Sequence, residues 1–283
     1  MGGTLWRIAG RSIDLSQHAL IMGVLNVTPD SFSDGGEFFT TATAIEHGAR
    51  MAAEGAEIID VGGESTRPDA EPVSAEEELA RVLPVIVKLR ERISAFISID
   101  TTKAVVAREA LEAGASIIND VTGGRGDPEM MKLAAEKKAA LIIMHMQGTP
   151  RTMQTNPRYD DVVTEVADFF RQQYARALEC GIDSMAIAFD PGIGFGKTVE
   201  HNLALLANLP HLRVHDRPIV VGVSRKSSLG KMIGSAEISD RLAPTIAFTA
   251  LLRERGANVL RVHDVKENAA ALRVTERLLE TAK

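Results

Sequence analysis

Short apolar runs that end on a polar or charged residue recur along this chain, and segments with helical spacing separate them. Six of these runs end on side chains that are able to do chemistry. The endings are Asn26, Asp100, Asn119, Asp190, Ser224-Arg225-Lys226 and Arg261-Val262-His263. Because apolar runs that alternate with helices indicate parallel strands, the carboxyl ends of the strands are expected to share one face. The pattern therefore predicts one polar mouth built from distant parts of the sequence.

Eight strands and eight helices are predicted in alternation. The predicted strands cover residues 20–26, 57–62, 96–100, 116–120, 140–145, 184–190, 218–224 and 258–263. The predicted helices cover residues 41–54, 74–91, 103–113, 128–137, 160–180, 198–209, 240–255 and 265–281. This alternation favours a closed (β/α)8 TIM barrel, an α/β fold, with an open doubly wound sheet as the alternative. Residues before about 18 are expected to form a short strand pair at the barrel bottom, and residues 1–283 a single domain.

Composition excludes several classes of protein. The net charge of −6 disfavours non-specific binding to nucleic acid or to an anionic membrane. Cys180 is the only cysteine, which excludes an intrachain disulfide framework and a cysteine metal site. No apolar run approaches the ~20 residues of a membrane span. These features predict a soluble, cytoplasmic protein.

A glycine-rich segment, residues 192–198 with the sequence GIGFGKT, suggests a nucleotide-binding loop at first sight. The phosphate-binding loop requires glycine five residues before Gly196, where this chain has Pro191. The dinucleotide fingerprint also fails, because the glycines follow the spacing G-x-G-x-G. We therefore interpret the segment as a turn that lets Asp190 and Phe195 approach a ligand closely.

Three strand endings, Asp100, Asn119 and Asp190, offer hydrogen-bond acceptors at one expected level of the barrel. A carboxylate can accept two parallel N–H bonds from a guanidine-like edge, as it does from arginine. The set therefore suits a flat heterocycle with such an edge. The alternative is that each carboxylate is structural and is satisfied by neighbouring backbone amides.

Cationic residues follow the last two predicted strands. Residues 224–227 (SRKS) come after the seventh strand, and Arg261 and His263 end the eighth. Loops in these positions commonly bind phosphate in barrels. Arg67, from the long connection of residues 63–73 after the second strand, is expected to join them. The alternative is ordinary surface charge. We interpret these residues as an anion site.

Asn26 ends the first strand, where its uncharged oxygen is able to ligate a hard cation. Magnesium usually takes further ligands from water and from substrate phosphates, so one protein ligand is enough. The alternative is that Asn26 caps a turn. The sequence contains no HExxH pattern or His/Cys cluster that would indicate zinc.

Together, these segments resemble the signatures of dihydropteroate synthases. Residues 21–36 are similar to the first signature of that family, and residues 60–68 to its second loop. The other matching segments, in the same order, are residues 99–101, 118–120, 190–197, 222–227 and 261–264. The resemblance covers nearly the whole chain. One departure is Asp69, since most members have glycine there; it adds a negative charge beside the second loop.

The resemblance implies a transferase that joins 4-aminobenzoate to 6-hydroxymethyl-7,8-dihydropterin diphosphate and releases 7,8-dihydropteroate and pyrophosphate. It also implies magnesium as cofactor, a homodimer, a place in folate biosynthesis and a target of sulfonamides. The implied pterin contacts are Asp100, Asn119, Asp190 and Lys226. The implied diphosphate contacts are Thr66, Arg261 and His263. Magnesium would lie at Asn26, and the residues around the aminobenzoate would be Phe32, Pro68, Phe195 and Ser227.

A mechanism follows from these assignments as a hypothesis. Breaking the carbon–oxygen bond leaves positive charge on the pterin methylene, which the Asp100 and Asp190 carboxylates would stabilise. Magnesium, Arg261 and His263 would stabilise the departing pyrophosphate. The candidate catalytic residues are Asp100, Lys226, Arg261 and His263. Loops carrying Phe32 and Arg67 would exclude water, which otherwise captures the cation.

Three other functions remain open at this point. A pterin-dependent methyltransferase with a corrinoid partner is disfavoured by the diphosphate and arylamine loops. A catalytically silent pterin-binding subunit is distinguished by the absence of turnover. An aldolase with Lys226 as a Schiff-base lysine is distinguished by borohydride trapping.

Overall fold

A computed structural model describes residues 4–28, 41–65, 71–149 and 152–281 of the chain. Its ten strands in these ranges are β1 Leu5–Ile8, β2 Arg11–Asp14, β3 Leu20–Asn26, β4 Ile58–Gly62, β5 Phe96–Asp100, β6 Ile117–Asp120, β7 Ala140–Met144, β8 Ile187–Asp190, β9 Val220–Val221 and β10 Val259–Val262. The α-helices are α1 Thr41–Glu54, α2 Ala75–Arg92, α3 Ala104–Glu112, α4 Met130–Lys137, α5 Val162–Glu179, α6 Val199–Ala207, α7 Ser227–Ile233, α8 Leu242–Glu254 and α9 Val265–Thr281.

Strands β3 to β10 form one parallel sheet in the order β8-β7-β6-β5-β4-β3-β10-β9. A parallel bridge between Phe189 and Ile219 connects its two ends and closes the ring. Helices alternate with the strands, and their apolar faces pack on the outside of the sheet. The prediction of a (β/α)8 barrel is confirmed, and the open doubly wound sheet is excluded.

The antiparallel pair of β1 and β2 covers the bottom of the barrel. Trp6 of β1 is 0% exposed, and its indole nitrogen donates to the Ala186 carbonyl over 3.1 Å. Trp6 and Ile8 pack in one apolar cluster with residues that point into the barrel, among them Met22 and Val259. The predicted bottom strand pair is therefore confirmed, and it seals the end opposite the polar mouth.

Three element predictions differ from the structure. Residues Ser184–Ala186 form a 3₁₀ turn rather than strand, because the Asp183 carboxylate accepts from the Met185 amide over 2.9 Å. Strand β9 has two residues, where the prediction had a strand over residues 218–224. Helix α7 was not predicted, since seven residues that include glycine have weak helical propensity. None of the helices in the described ranges is long and apolar enough to cross a membrane.

An ion cluster joins the start of β3 to α9 at the barrel bottom. His18 Nδ1 lies 2.9 Å from a Glu276 carboxylate oxygen, and its Nε2 lies 2.8 Å from Glu57. The hydrogen bond with Glu276 and then that with Glu57 raise the pKa of His18 to about 10. The protonated imidazole therefore links two elements that are distant in the sequence.

We expect this cluster to make stability depend on pH. The pKa of His18 is about 10 in the folded protein and 6.5 ordinarily. Its contribution is therefore complete below the lower value and is lost as pH rises through the higher one. Thermal unfolding followed from pH 6 to 10 should show a steeper fall in Tm for the wild type than for His18→Gln. Parallel curves would contradict the predicted linkage.

Candidate active site

The polar strand endings lie together at the carboxyl end of the barrel. Strand register aligns Asp100 with Asn119 in neighbouring strands, and Met144 with Asp190. Arg261 reaches from β10 to Asp100, and its Nη2 donates to that carboxylate over 2.7 Å. The fold thus brings acids, an amide and a cation from four strands into one mouth.

Asp60 lies at the centre of the hydrogen-bond network below the mouth. Its Oδ2 accepts from Arg261 Nε over 2.7 Å and from Asn119 Nδ2 over 3.0 Å. Asp60 is 0% exposed. Sequence reasoning assigned it no role, although the signal was present. Asp60, Asn119 and Arg261 hold the same position in three copies of one helix–glycine–strand pattern, in residues 54–60, 113–119 and 255–261.

Arg261 therefore lies between two carboxylates, those of Asp60 and Asp100. Burial alone would lower the pKa of Arg261, but the two carboxylates raise it above its ordinary value. Burial raises the pKa of Asp100 to about 7, while Arg261 acts in the opposite direction. Arg261 thus remains protonated and offsets part of the negative charge of the acidic floor, which is formed by Asp60 and Asp100.

Asp190 and Lys226 form the opposite wall. Asp190 Oδ1 accepts from the Gly192 amide over 2.7 Å. Lys226 donates to the Ile193 carbonyl, and its Nζ lies 4.9 Å from the centre of the Phe195 ring. Burial raises the pKa of Asp190 and lowers that of Lys226 to about 8, and attraction between the two charges opposes both shifts. The pKa of each group therefore depends on the charge of the other.

His263 and Ser224 lie at the cationic side of the mouth. The His263 amide donates to Ser224 Oγ over 3.1 Å, and its Nδ1 lies 3.1 Å from the same oxygen. Arg225 adopts a left-handed conformation with φ of 58° and pairs with Asp264. This turn directs consecutive residues of the segment 224–227 to different surroundings, so Lys226 contacts the glycine-rich loop while Arg225 contacts Asp264.

Two of the four residues predicted around the aminobenzoate, Phe195 and Ser227, are among those that the structure describes. Phe195 is half-buried and packs beside Met144, Met146 and Met153. Ser227 is exposed as the first residue of α7. The predicted contacts at Phe32, Thr66, Arg67 and Pro68 lie outside the described residues, as does Asp69.

Asn26 and Asp100 both lie close to Gly62, the last residue of β4. A side chain added at Gly62 would stand 3.7 Å from Asn26 Oδ1 and 3.5 Å from the Asp100 Cβ, so its absence leaves space between them. Both neighbours carry hard oxygen donors, which suit magnesium. Among the described residues, no group of three or more His, Cys, Asp or Glu side chains is placed to hold a metal by itself. The donor set therefore fits an ion that takes most of its ligands from substrate and water.

Comparison with known proteins gives the family. A family model described as pterin binding enzyme matches residues 22–263. The dihydropteroate synthase of Escherichia coli strain K12 is 47% identical over 270 residues, which cover 95% of each chain. The chain belongs to the pterin-binding enzymes, as a dihydropteroate synthase family member. The dihydropteroate synthase of a Synechocystis strain is 46% identical over 94% of this chain and 92% of its own.

Solved structures of dihydropteroate synthases have the same fold. The Yersinia pestis dihydropteroate synthase, crystallised as a sulfonamide drug complex, has a TM-score of 0.92 and 41% identity, over 98% of this chain and 99% of its own. The Xanthomonas albilineans dihydropteroate synthase in complex with 7,8-dihydropteroate has a TM-score of 0.87 and 41% identity, over 97% and 98%. Family membership is therefore supported over almost the full length of the barrel.

Proposed function

We propose that this dihydropteroate synthase family member condenses 6-hydroxymethyl-7,8-dihydropterin diphosphate with 4-aminobenzoate. The products are 7,8-dihydropteroate and pyrophosphate, and the enzyme is a transferase of folate biosynthesis. One observation carries the proposal: buried carboxylates and cations converge in a single mouth, where Arg261 pairs with both Asp60 and Asp100. Relatives crystallised with 4-aminobenzoic acid and with 7,8-dihydropteroate support it.

The pterin binds through its guanidine-like edge in this proposal. Asp190 accepts N–H bonds from that edge, and its Oδ1 is already aligned by the Gly192 amide. Asn119 is able to donate and accept, and its orientation is fixed by Asp60. Lys226 supplies the remaining donor beside the ring. The side chains of Asp190 and Asn119 are therefore oriented by hydrogen bonds before the pterin binds.

Carbon–oxygen cleavage is the central step. The electron pair of the bond leaves with the pyrophosphate, and the pterin shares the positive charge that develops on its methylene carbon. Asp100 and Asp190 face that charge, and their carboxylate forms would stabilise it, because preorganised charge aimed at a developing charge is usually the largest catalytic contribution. The amine lone pair of 4-aminobenzoate then forms the carbon–nitrogen bond, and the amine loses one proton.

The cationic side of the mouth receives the diphosphate. Arg261 uses Nε and Nη2 for Asp60 and Asp100, so its Nη1 is the nitrogen directed to the leaving group in this proposal. His263 contributes a further donor. The predicted contacts at Thr66 and Arg67 would complete this side. Sulfonamides would compete with 4-aminobenzoate for the surface near Phe195.

Magnesium would be held by Asn26 Oδ1, together with diphosphate oxygens and water. When bound, it neutralises charge on the departing diphosphate. The closeness of Asn26 Oδ1 and Asp100 to Gly62 supports this position, because it brings hard oxygen donors near one another. We place the reaction in the cytoplasm.

A homodimer is the assembly we propose. Val274 and Leu278 of α9 are 71% and 70% exposed, and Leu251 of the adjoining α8 is also exposed. Val274 and Leu278 lie one turn apart on α9, against which α8 packs, and a second copy would cover these exposed apolar side chains. Sedimentation should give a dimer for the wild type and a monomer for Val274→Glu. A monomeric wild type would contradict the proposal.

Turnover by the purified protein tests the proposed function. The assay contains magnesium, pterin diphosphate and labelled 4-aminobenzoate, and it measures dihydropteroate and pyrophosphate in equal amounts. Equal release of both products is expected. Tight binding of pterin without any product would identify a silent pterin-binding subunit instead, and methyl transfer from methyltetrahydrofolate would identify a methyltransferase.

A further inference from the structure

Lys197, at the end of the glycine-rich segment, is buried rather than directed to a ligand. Its side chain is 3% exposed. Its Nζ lies 3.0 Å from His145 Nδ1 and donates to the carbonyls of His145, Gly192 and Phe195 over 3.1, 3.0 and 2.9 Å. All four acceptors belong to two loops, the one that follows β7 and the one that follows β8. The lysine therefore joins these loops from inside.

Glycine is required where the two loops touch. A side chain at Gly192 would stand 1.9 Å from the His145 carbonyl oxygen, and one at Gly196 would stand 2.6 Å from that of Gln147. Both glycines also have φ near +65°, at 64° and 66°, which disfavours other residues. The spacing that suggested a phosphate-binding loop is thus explained by close packing of backbone on backbone.

The protonation states match this role. Burial lowers the pKa of His145 to about 2, so the imidazole is neutral and its Nδ1 accepts the bond from Lys197. Burial lowers the pKa of Lys197 to about 7, and the nearby Asp190 carboxylate opposes that shift. Four acceptors within 3.1 Å of Nζ favour the protonated amine, which has three hydrogens to donate.

The loop that Lys197 holds carries contacts of the proposed active site. The Ile193 carbonyl accepts from Lys226, and the Phe195 ring lies beneath the same amine. Other bonds hold this loop from the outside, because Tyr159 donates to the Gly196 carbonyl over 2.8 Å and Gln154 to that of Gly194 over 2.7 Å. A shift of the loop would therefore move both sides of the pterin and aminobenzoate surroundings.

We propose that Lys197 is a positioning residue of the reaction, which fixes residues 192–196 against the loop after β7 and thereby places Phe195 and Lys226. Its amine is held by protein acceptors and is expected to act through these loops rather than on substrate. The inference rests on the proposed roles of Phe195 and Lys226 and deepens them. It also gives the lysine of the glycine-rich segment a function other than anion binding.

Lys197→Met tests the proposal, because methionine fills a similar volume without donors. We expect kcat/KM for 4-aminobenzoate to fall by about 100-fold, mostly through a higher KM, since small displacements of positioned groups are costly. Hydrogen exchange should quicken selectively at the amides of residues 192–196. Lys132→Met is the matched control, because Lys132 is an exposed lysine that pairs with Glu129.

Leu272→Ala, a core substitution in α9, shows how much activity is lost when stability alone is reduced. Kinetic constants like those of the wild type, or a kinetic loss equal to that of Leu272→Ala, would overturn the proposal. If Lys197→Met does not fold, Lys197→Gln replaces it, because the shorter, uncharged side chain cannot reach all four acceptors, and an unchanged KM there would overturn the proposal equally. A wild type without turnover would refute the proposed function, while the exchange data would still decide whether Lys197 orders the loop.

Discussion

Asp190→Asn should weaken binding of the pterin substrate by about 100-fold, because it removes one of the two hydrogen bonds of the proposed edge contact and a hydrogen bond to a charged group contributes about 1.5–3 kcal/mol. The asparagine keeps one acceptor but presents an N–H₂ group to a donor edge. The Gly192 amide also loses its anionic partner. Calorimetric titration with the pterin diphosphate and with the pterin alcohol measures the loss, which should be similar for both ligands.

Asp161→Asn is the matched control for this change. Asp161 caps the start of α5 through the Val163 and Thr164 amides, and asparagine caps helices about equally well. Its pterin affinity should equal that of the wild type. Unchanged affinity in Asp190→Asn as well would rule out the edge contact.

Arg261→Ala should reduce both stability and turnover. The free energy of unfolding should fall by about 3–5 kcal/mol, because removal of one partner of a buried ion pair leaves charge without compensation. Here two carboxylates, Asp60 and Asp100, lose the same partner. Turnover should fall by about 10²–10³, as it does when a donor to a developing anion is removed. Urea unfolding and steady-state kinetics measure the two effects.

Two comparisons separate the roles of Arg261. In Arg261→Ala, the affinity for the pterin diphosphate should fall more than the affinity for the pterin alcohol. Equal losses of affinity would show that Arg261 does not select the anion. Asp60→Asn combined with Arg261→Ala should restore part of the stability, because it removes one unpaired charge. A double variant as unstable as the sum of the single ones would contradict the observed Asp60–Arg261 pairing.

The barrel was predictable because the sequence pattern that specifies it repeats along the chain. The same helix–glycine–strand pattern ends at Asp60, Asn119 and Arg261, and each copy adds one strand to the ring. Helix α7 and the short β9 were not predictable in the same way. The backbone amide of Ile219, just before β9, donates to Asn258 Oδ1 over 3.1 Å. The apolar pattern of the sequence does not reveal such a side-chain partner.

The site was predictable to the level of the strand endings and no further. Position in the chain placed Asp100, Asn119 and Asp190 at the mouth, since parallel strands share one direction. The pairing of Arg261 with Asp60 depends on side chains that cross the barrel, which no local spacing encodes. The role of Lys197 was not predictable either, because its local motif fits no phosphate-binding pattern and its burial among four acceptors is a tertiary property.

A crystal structure with the dihydropterin diphosphate bound would show where the pterin ring and its diphosphate lie. We predict the guanidine-like edge of the ring within about 3 Å of the Asp190 carboxylate, a hydrogen-bond distance, and the diphosphate on the side of Arg261 and His263. A ring bound elsewhere, or one in the same mouth with its diphosphate over Asp100 and Asp190, would contradict this prediction.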